Sequence, residues 1–121
     1  MINREDIFKY VSEKYETTPE YMFLKHPDVA VLRNEKTNKW YGVIMTIEKR
    51  KLGLNEDGLI DIINVKGNPE FNSIMRSQDY ILPAYHMNKK HWITVRLDKN
   101  YPANELYELI DWSHLLTSKK K

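Results

Sequence analysis

Cationic side chains gather in two stretches of this chain. Residues 33–51 hold six basic groups (Arg33, Lys36, Lys39, Lys49, Arg50, Lys51) against two acidic ones, and residues 86–99 hold four against one. The stretch between them, residues 52–85, has five carboxylates against two cations, so the net charge of +2 conceals the pattern. Clustered Lys and Arg attract a polyanion whatever the net charge, chiefly by neutralising phosphates. The candidate phosphate contacts are therefore Arg33, Lys36, Lys39, Lys49, Arg50 and Lys51, together with Lys89, Lys90, His91 and Arg96. Tyr41, Tyr85 and Trp92 interleave with these charges and would stack on bases where exposed. The same residue types also have a plainer use: cations solubilise hairpin tips, and aromatics at strand starts pack the core. No recognition-helix pattern is visible, so contact with phosphates rather than readout of base edges is the expectation.

Other chemistry is poorly supplied. His86 and His91 stand five apart with Asn88 between them, while His26 and His114 are remote in sequence. Zinc needs three or four ligands, and the HExxH spacing is absent, so the two histidines read as hydrogen-bonded anchors of a tight turn. Iron would require an exposed run of carboxylates. Glu5, Asp6, Glu13 and Glu16 are instead diluted by Arg4, Lys9 and Lys14, which describes a solvated helix face. No metal site is expected. Ser12, Ser73, Ser77, Ser113 and Ser118 lack a nucleophile elbow, and no glycine loop cradles a phosphate. Ser113 and His114 are neighbours on one helix and project about 100° apart, which is no nucleophile–base pair. The chain has no cysteine, which excludes disulfides, thiolate metal sites and a cysteine nucleophile. Neither catalytic residues nor a cofactor are expected.

The elements that must position these residues are legible from periodicity. At 121 residues and 14.5 kDa, without repeat, linker or composition break, the chain reads as one domain over residues 1–121. Asn3 can cap a first helix whose buried face is Ile7, Phe8, Val11 and Tyr15, and Thr17-Thr18-Pro19 ends it. Residues 29–33 and 40–48 form a hairpin about a polar turn at 34–39. A basic-then-acidic loop over 49–58 leads to a third strand, residues 59–66. A short helix over 69–77 follows, opened by Pro69. The alternating run 92–97 is a strand paired with residues around 81–85. A last helix over 102–118 carries the stripe Leu106, Leu109, Ile110 and Leu116, with the Lys119–Lys121 tail suiting its negative end. Two helices bracketing an antiparallel sheet imply a two-layer α+β sandwich with both helices on one face. The opposite sheet face should then be polar or covered by a partner. No apolar run reaches the ~18–20 residues of a membrane span. The first residues, Met1 to Asp6, carry acids where a signal peptide would be apolar.

The motifs themselves resemble a known family. Pro83-Ala84-Tyr85-His86-Met87-Asn88-Lys89-Lys90-His91-Trp92-Ile93-Thr94-Val95 is similar to the signature of the MmcQ/YjbR family. So are Pro27-Asp28-Val29-Ala30-Val31-Leu32-Arg33, Asn38-Lys39-Trp40-Tyr41, and Ile63-Asn64-Val65-Lys66 followed by Pro69. The match runs from the first helix to the Ser113 region, with Tyr85, His86, Asn88 and Trp92 as its motif residues. Arg33-Asn34 and the 49–58 loop are its variable ground. The resemblance implies a CyaY-like, frataxin-like fold with a double-wing arrangement and DNA binding; it brings no catalytic residues.

Together these readings give a cytoplasmic, non-catalytic domain that binds DNA through basic hairpin wings, without metal, cofactor or membrane contact. The alternative is a protein- or small-ligand-binding module using an aromatic sheet face that carries Trp40, Tyr41 and Trp92. Basic clusters converging on one side would favour the first; an apolar pocket would favour the second.

Overall fold

The computed structural model describes residues 2–119; Lys120 and Lys121 of the basic tail lie outside them. Helix α1 (Arg4–Tyr15) begins with the expected cap, made reciprocal. The Asn3 side chain accepts the Asp6 amide at 2.9 Å, and the Asp6 carboxylate accepts the Asn3 amide at 3.0 Å. The helix closes at Glu16 in a left-handed conformation, φ 55°, with the Glu16 amide donating to the Ser12 carbonyl and the Thr17 amide to the Val11 carbonyl.

Strands β1 (Ala30–Arg33), β2 (Trp40–Glu48), β3 (Leu59–Lys66), β4 (Ile81–Pro83) and β5 (Trp92–Arg96) form one antiparallel sheet in the order β1-β2-β3-β5-β4. Between β2 and β3 the basic half of the 49–58 loop winds into a short 3-10 turn (Lys49–Leu52). Helix α2 (Pro69–Met75) joins β3 to β4, and helix α3 (Ala103–Thr117) closes the chain.

The core lies between the sheet and the two long helices. Leu32, Ile44, Ile63, Val65, Ile93 and Val95 face Ile7 and Val11 of α1 and Leu106 and Ile110 of α3. Each such side chain contributes about 1.5–3 kcal/mol of burial free energy. A bulge where β1 passes from Leu32 to Arg33 gives β2 one extra residue, Tyr41. Its side chain joins the helix-side core: the hydroxyl meets Thr17 Oγ1 at 2.5 Å, and the ring lies edge-on to Tyr15 and His114. Tyr41 is therefore fully buried: the core-packing reading of this residue holds, and an aromatic sheet face does not include it.

The opposite sheet face also departs from expectation. Ile60, Ile62, Asn64, Thr94 and Arg96 are buried on it, covered by the chain's own loops rather than left polar or awaiting a partner. Residues around Tyr85 lie across its middle, because the Tyr85 amide donates to Thr94 Oγ1 at 2.9 Å and Asn64 Nδ2 donates to the Tyr85 carbonyl at 3.2 Å. Glu20 bridges to Val31 along the outer edge of β1, and the chain beyond it brings Phe23 against Trp40. Among the described residues no helix is long and apolar enough to cross a membrane.

Candidate binding groove and the fate of the basic clusters

Register decides where the cations go. Glu48 pairs with Leu59 at one end of the sheet, while Lys66 pairs with Trp92 at the other. The 34–39 turn and the 84–91 segment thus share the end where β2 starts, and the 49–58 loop shares the far end with Arg96. Across the nine residues of β2 these ends are roughly 27 Å apart, at about 3.4 Å per residue. The first sequence cluster is therefore divided between both ends.

Much of the charge is also neutralised internally. Arg96 has a side chain only 5% exposed and grips Asp98 with two bonds of 2.9 and 2.8 Å. It cannot reach a phosphate, so its place among the phosphate contacts is withdrawn. The Arg96 bond holds the Asp98 carboxyl below the usual range, against the opposing effect of burial. Lys49 lies 3.3 Å from Glu56 and 3.7 Å from Asp98, and Arg50 lies 2.6 Å from Asp57. The basic half of the loop is thus folded onto its acidic half. Arg33 pairs with Glu20 at 3.2 Å and also donates to the Asn38 carbonyl at 2.9 Å.

The β1–β2 turn is no free wing either. Buried Asn34 donates to the His114 carbonyl at 2.9 Å, Thr37 to the Thr117 carbonyl at 2.7 Å, and Lys39 to the Lys119 carbonyl at 2.7 Å. The turn thereby caps carbonyls that the end of α3 leaves without helical partners. Glu35 meets His114 Nε2 at 2.7 Å; burial is the largest single influence and opposes its charge, but the His114 bond, a backbone hydrogen bond and the neighbouring positive charge together lower its pKa. His114 stacks on Tyr15 at 3.7 Å, and Ser113 donates to the Tyr41 carbonyl at 2.6 Å, so both are packing residues. Lys36, Lys51, Lys89 and Lys90 are exposed and without a carboxylate partner among the described residues.

The motif around Asn88 is a folded clamp. Its side-chain oxygen accepts the amides of Lys90 at 2.9 Å and His91 at 3.3 Å, and its carbonyl accepts Trp92 at 2.9 Å. From α2, Asn72 donates to the Lys90 carbonyl at 3.1 Å and, just beyond the helix, Arg76 donates to the Lys89 carbonyl at 3.0 Å. Gly67 donates its amide to the His91 carbonyl at 2.9 Å. His91 is thus held through its backbone, with an exposed residue surface, and Trp92 is half-buried at the start of β5.

What this clamp leaves open is a groove of about 470 Å3 on the second sheet face. Val43, Met45 and Ile47, alternate residues of β2, line it. Phe23 and Trp40, edge-on at 6.3 Å, form one wall. Tyr85, His86 and Met87 form the other, with His86 stacked on Tyr85 at 4.0 Å from a left-handed backbone, φ 57°. A non-glycine residue held there is uncommon and concentrates at binding sites. His26, Glu48 and Lys51 supply polar groups around the groove. Sequence reasoning missed Phe23, His26, Val43, Met45, Ile47 and Met87. The available signal was the run Val43-Ile44-Met45 within β2, apolar at successive positions and so on both faces of the strand, more than one buried face requires. Among the described residues no group of three or more His, Asp or Glu is placed to hold a metal ion.

A five-stranded antiparallel sheet with two long helices packed on one face, and a groove on the other, defines an open-sheet α+β sandwich. The chain belongs to the YjbR family, whose family model matches residues 12–116. It is 49% identical over 117 residues to the uncharacterized protein YyaQ of Bacillus subtilis, covering 97% of this chain and 99% of YyaQ. A crystal structure of a Pseudomonas syringae protein superposes with a TM-score of 0.92 at 42% identity, covering 96% of this chain and 99% of that one. A Deinococcus radiodurans protein with a DUF419 domain superposes at 0.75 with 28% identity, covering 99% of this chain and 81% of that one.

Proposed function

We propose that this domain is a non-catalytic binding module, acting in the cytoplasm, whose ligand is a small molecule with an apolar, aromatic body. The observation that carries this reading is the aromatic-walled groove over Val43, Met45 and Ile47. Its size of about 470 Å3 lies within the range typical of small-molecule sites. Phe23, Trp40 and Tyr85 offer stacking faces, and His26, His86 and Lys51 offer polar contacts to orient a bound group. The test uses the fluorescent aromatic probe 8-anilinonaphthalene-1-sulfonate. Enhanced emission with the folded protein, reduced at least fivefold by Phe23→Ala and by Met87→Lys, is the expected result. Unchanged emission in both folded variants would remove the groove as the site.

A second reading, DNA contact through lysines of the 34–39 turn and the 84–91 segment, is favoured by one observation: Lys36, Lys89 and Lys90 are exposed near the same end of the sheet without carboxylate partners among the described residues. Three phosphate contacts make binding weak and steeply salt-dependent, with a logarithmic slope of roughly −3. Fluorescence anisotropy with a labelled duplex at rising salt should follow that slope and lose it in the Lys36→Glu/Lys89→Glu/Lys90→Glu variant. No binding at 20 mM salt, or binding indifferent to these changes, rules this reading out.

A further inference from the structure

A second cleft lies on the helical side, away from the sheet groove. It occupies about 350 Å3 between α2 and α3, and Phe71, Met75, Leu109 and Trp112 supply its apolar lining. Glu105, Glu108, Leu109 and Trp112 share one helical face of α3, spaced by three or four residues, so both carboxylates and the indole border the same opening. Glu105 and Glu108 are exposed, form no ion pair among the described residues, and share the lining with no Lys, Arg or His.

Tyr101 adds an independent observation. It lines the cleft and is 6% exposed, with its ring edge-on to Tyr80 at 4.3 Å. The ring is buried, but the hydroxyl has no protein hydrogen-bond partner among the described residues and is not shut away from solvent, which leaves it free to bond a molecule in the cleft. Burial, then the nearby charge of Glu105, Tyr80 and the charge of Glu108 push its pKa up to about 12, so at neutral pH it stays an uncharged phenol. A neutral hydroxyl oxygen without a donor, two free carboxylates and an exposed indole ask for the same thing: a group rich in N–H donors, positively charged, on an apolar stem. An anion would meet two like charges, and a wholly apolar molecule would leave all three polar groups unanswered.

We propose that the α2–α3 cleft is a binding site for a small organic ammonium, a primary amine carried on an aryl or alkyl body. The ammonium sits between Glu105, Glu108 and the Tyr101 hydroxyl, and the body lies against Phe71 and Trp112, whose faces attract the cation as well as the apolar stem. The chemistry is independent of the sheet groove, and neither site depends on the other being occupied.

Phenethylammonium is the probe, with phenylacetate and 2-phenylethanol as isosteric anionic and neutral controls, titrated into nitrogen-15-labelled protein. The expected result is saturable shifts of the Glu105, Glu108 and Trp112 signals, with the ammonium binding at least tenfold more tightly than either control. Glu105→Gln/Glu108→Gln, which changes only exposed side chains, should weaken it tenfold or more while leaving the other amide signals in place. Tyr101→Phe should weaken it by a smaller factor. Equal affinity for the alcohol, undiminished affinity in the double variant, or shifts confined to residues outside the cleft would each overturn the proposal.

Discussion

Gly67 provides the sharpest check of how the Asn88 motif is held. A Cβ placed there would lie 2.2 Å from Asn72 Oδ1 and 3.2 Å from its Cγ. The backbone at Gly67 is not left-handed, so alanine is conformationally permitted and would by itself stabilise by about 0.4–1 kcal/mol through the unfolded state. Against this stands the collision. Asn72 is fully buried, and its amide group donates to the Gly67 carbonyl at 3.0 Å and to the Lys90 carbonyl at 3.1 Å. Its oxygen is buried without a partner, pressed instead on the glycine. Displacing this side chain leaves buried polar groups unpaired at about 1–3 kcal/mol each. The steric term wins, and Gly67→Ala should destabilise by about 2–4 kcal/mol in urea unfolding followed by circular dichroism, with the m-value unchanged. Asn72→Ala removes the obstacle, so Gly67→Ala/Asn72→Ala should be no less stable than Asn72→Ala alone. A loss below 0.5 kcal/mol for Gly67→Ala, or strict additivity in the cycle, would refute the reasoning.

Two further outcomes follow from the contacts around α3. Asn34→Ala removes the side chain that joins the β1–β2 turn to the His114 carbonyl, and hydrogen exchange should speed up over residues 34–39 and 114–118 while the central strands stay protected; uniform protection would show the clamp to be idle. Asp111 accepts Tyr15 at 2.6 Å, Tyr10 at 2.7 Å and Lys14 at 2.8 Å. Burial works against its charge, but these bonds outweigh it and lower its pKa. The unfolded chain therefore takes up that proton first as pH falls, and the stability present above pH ~4 is lost below it. The melting temperature of Asp111→Asn should fall less steeply between pH 5 and 3 than that of the parent, with Asp98 and Glu35 retaining part of the slope; parallel curves would show that Asp111 carries none of it.

Local signals carried the fold a long way. The cap at Asn3, the extent of β2 over Trp40–Glu48 and β3 over Leu59–Lys66, and the Pro69 helix start all follow from spacing within a few residues, and the structure repeats them. The Tyr85–Trp92 motif likewise resembled its family correctly, as the match over residues 12–116 confirms. Charge pairing was not legible, because a partner's identity is a tertiary fact. Lys49 reaches Asp98, and Arg96 reaches Glu56, only when the far end of the sheet closes, and a linear count of cations cannot subtract carboxylates that arrive from elsewhere. Tyr41 illustrates a second limit: whether it packs the core or lines an exposed face depends on a bulge that its spacing does not show, and the bulge places it in the core.

The groove itself traces to a mismatch in strand length. β1 has four residues and β2 has nine, so past Ala30 the sheet has no neighbour beside Met45, Thr46 and Ile47. An unpaired edge of that kind normally invites another strand. Here it is occupied by side chains. Asp28 accepts the Thr46 amide at 2.8 Å, in the place where the next residue of β1 would have paired. Arg4 secures this arrangement by donating to the Asp28 carbonyl at 2.8 Å and to Thr46 Oγ1 at 3.1 Å while pairing with Asp61 at 3.1 Å. The edge is thus plugged while the face beside it stays open, with Met45 and Ile47 only half-covered. Strand addition needs the edge, whereas a compact ligand needs only the face. This is why a small molecule, rather than an extended peptide, is the occupant that the groove's geometry favours.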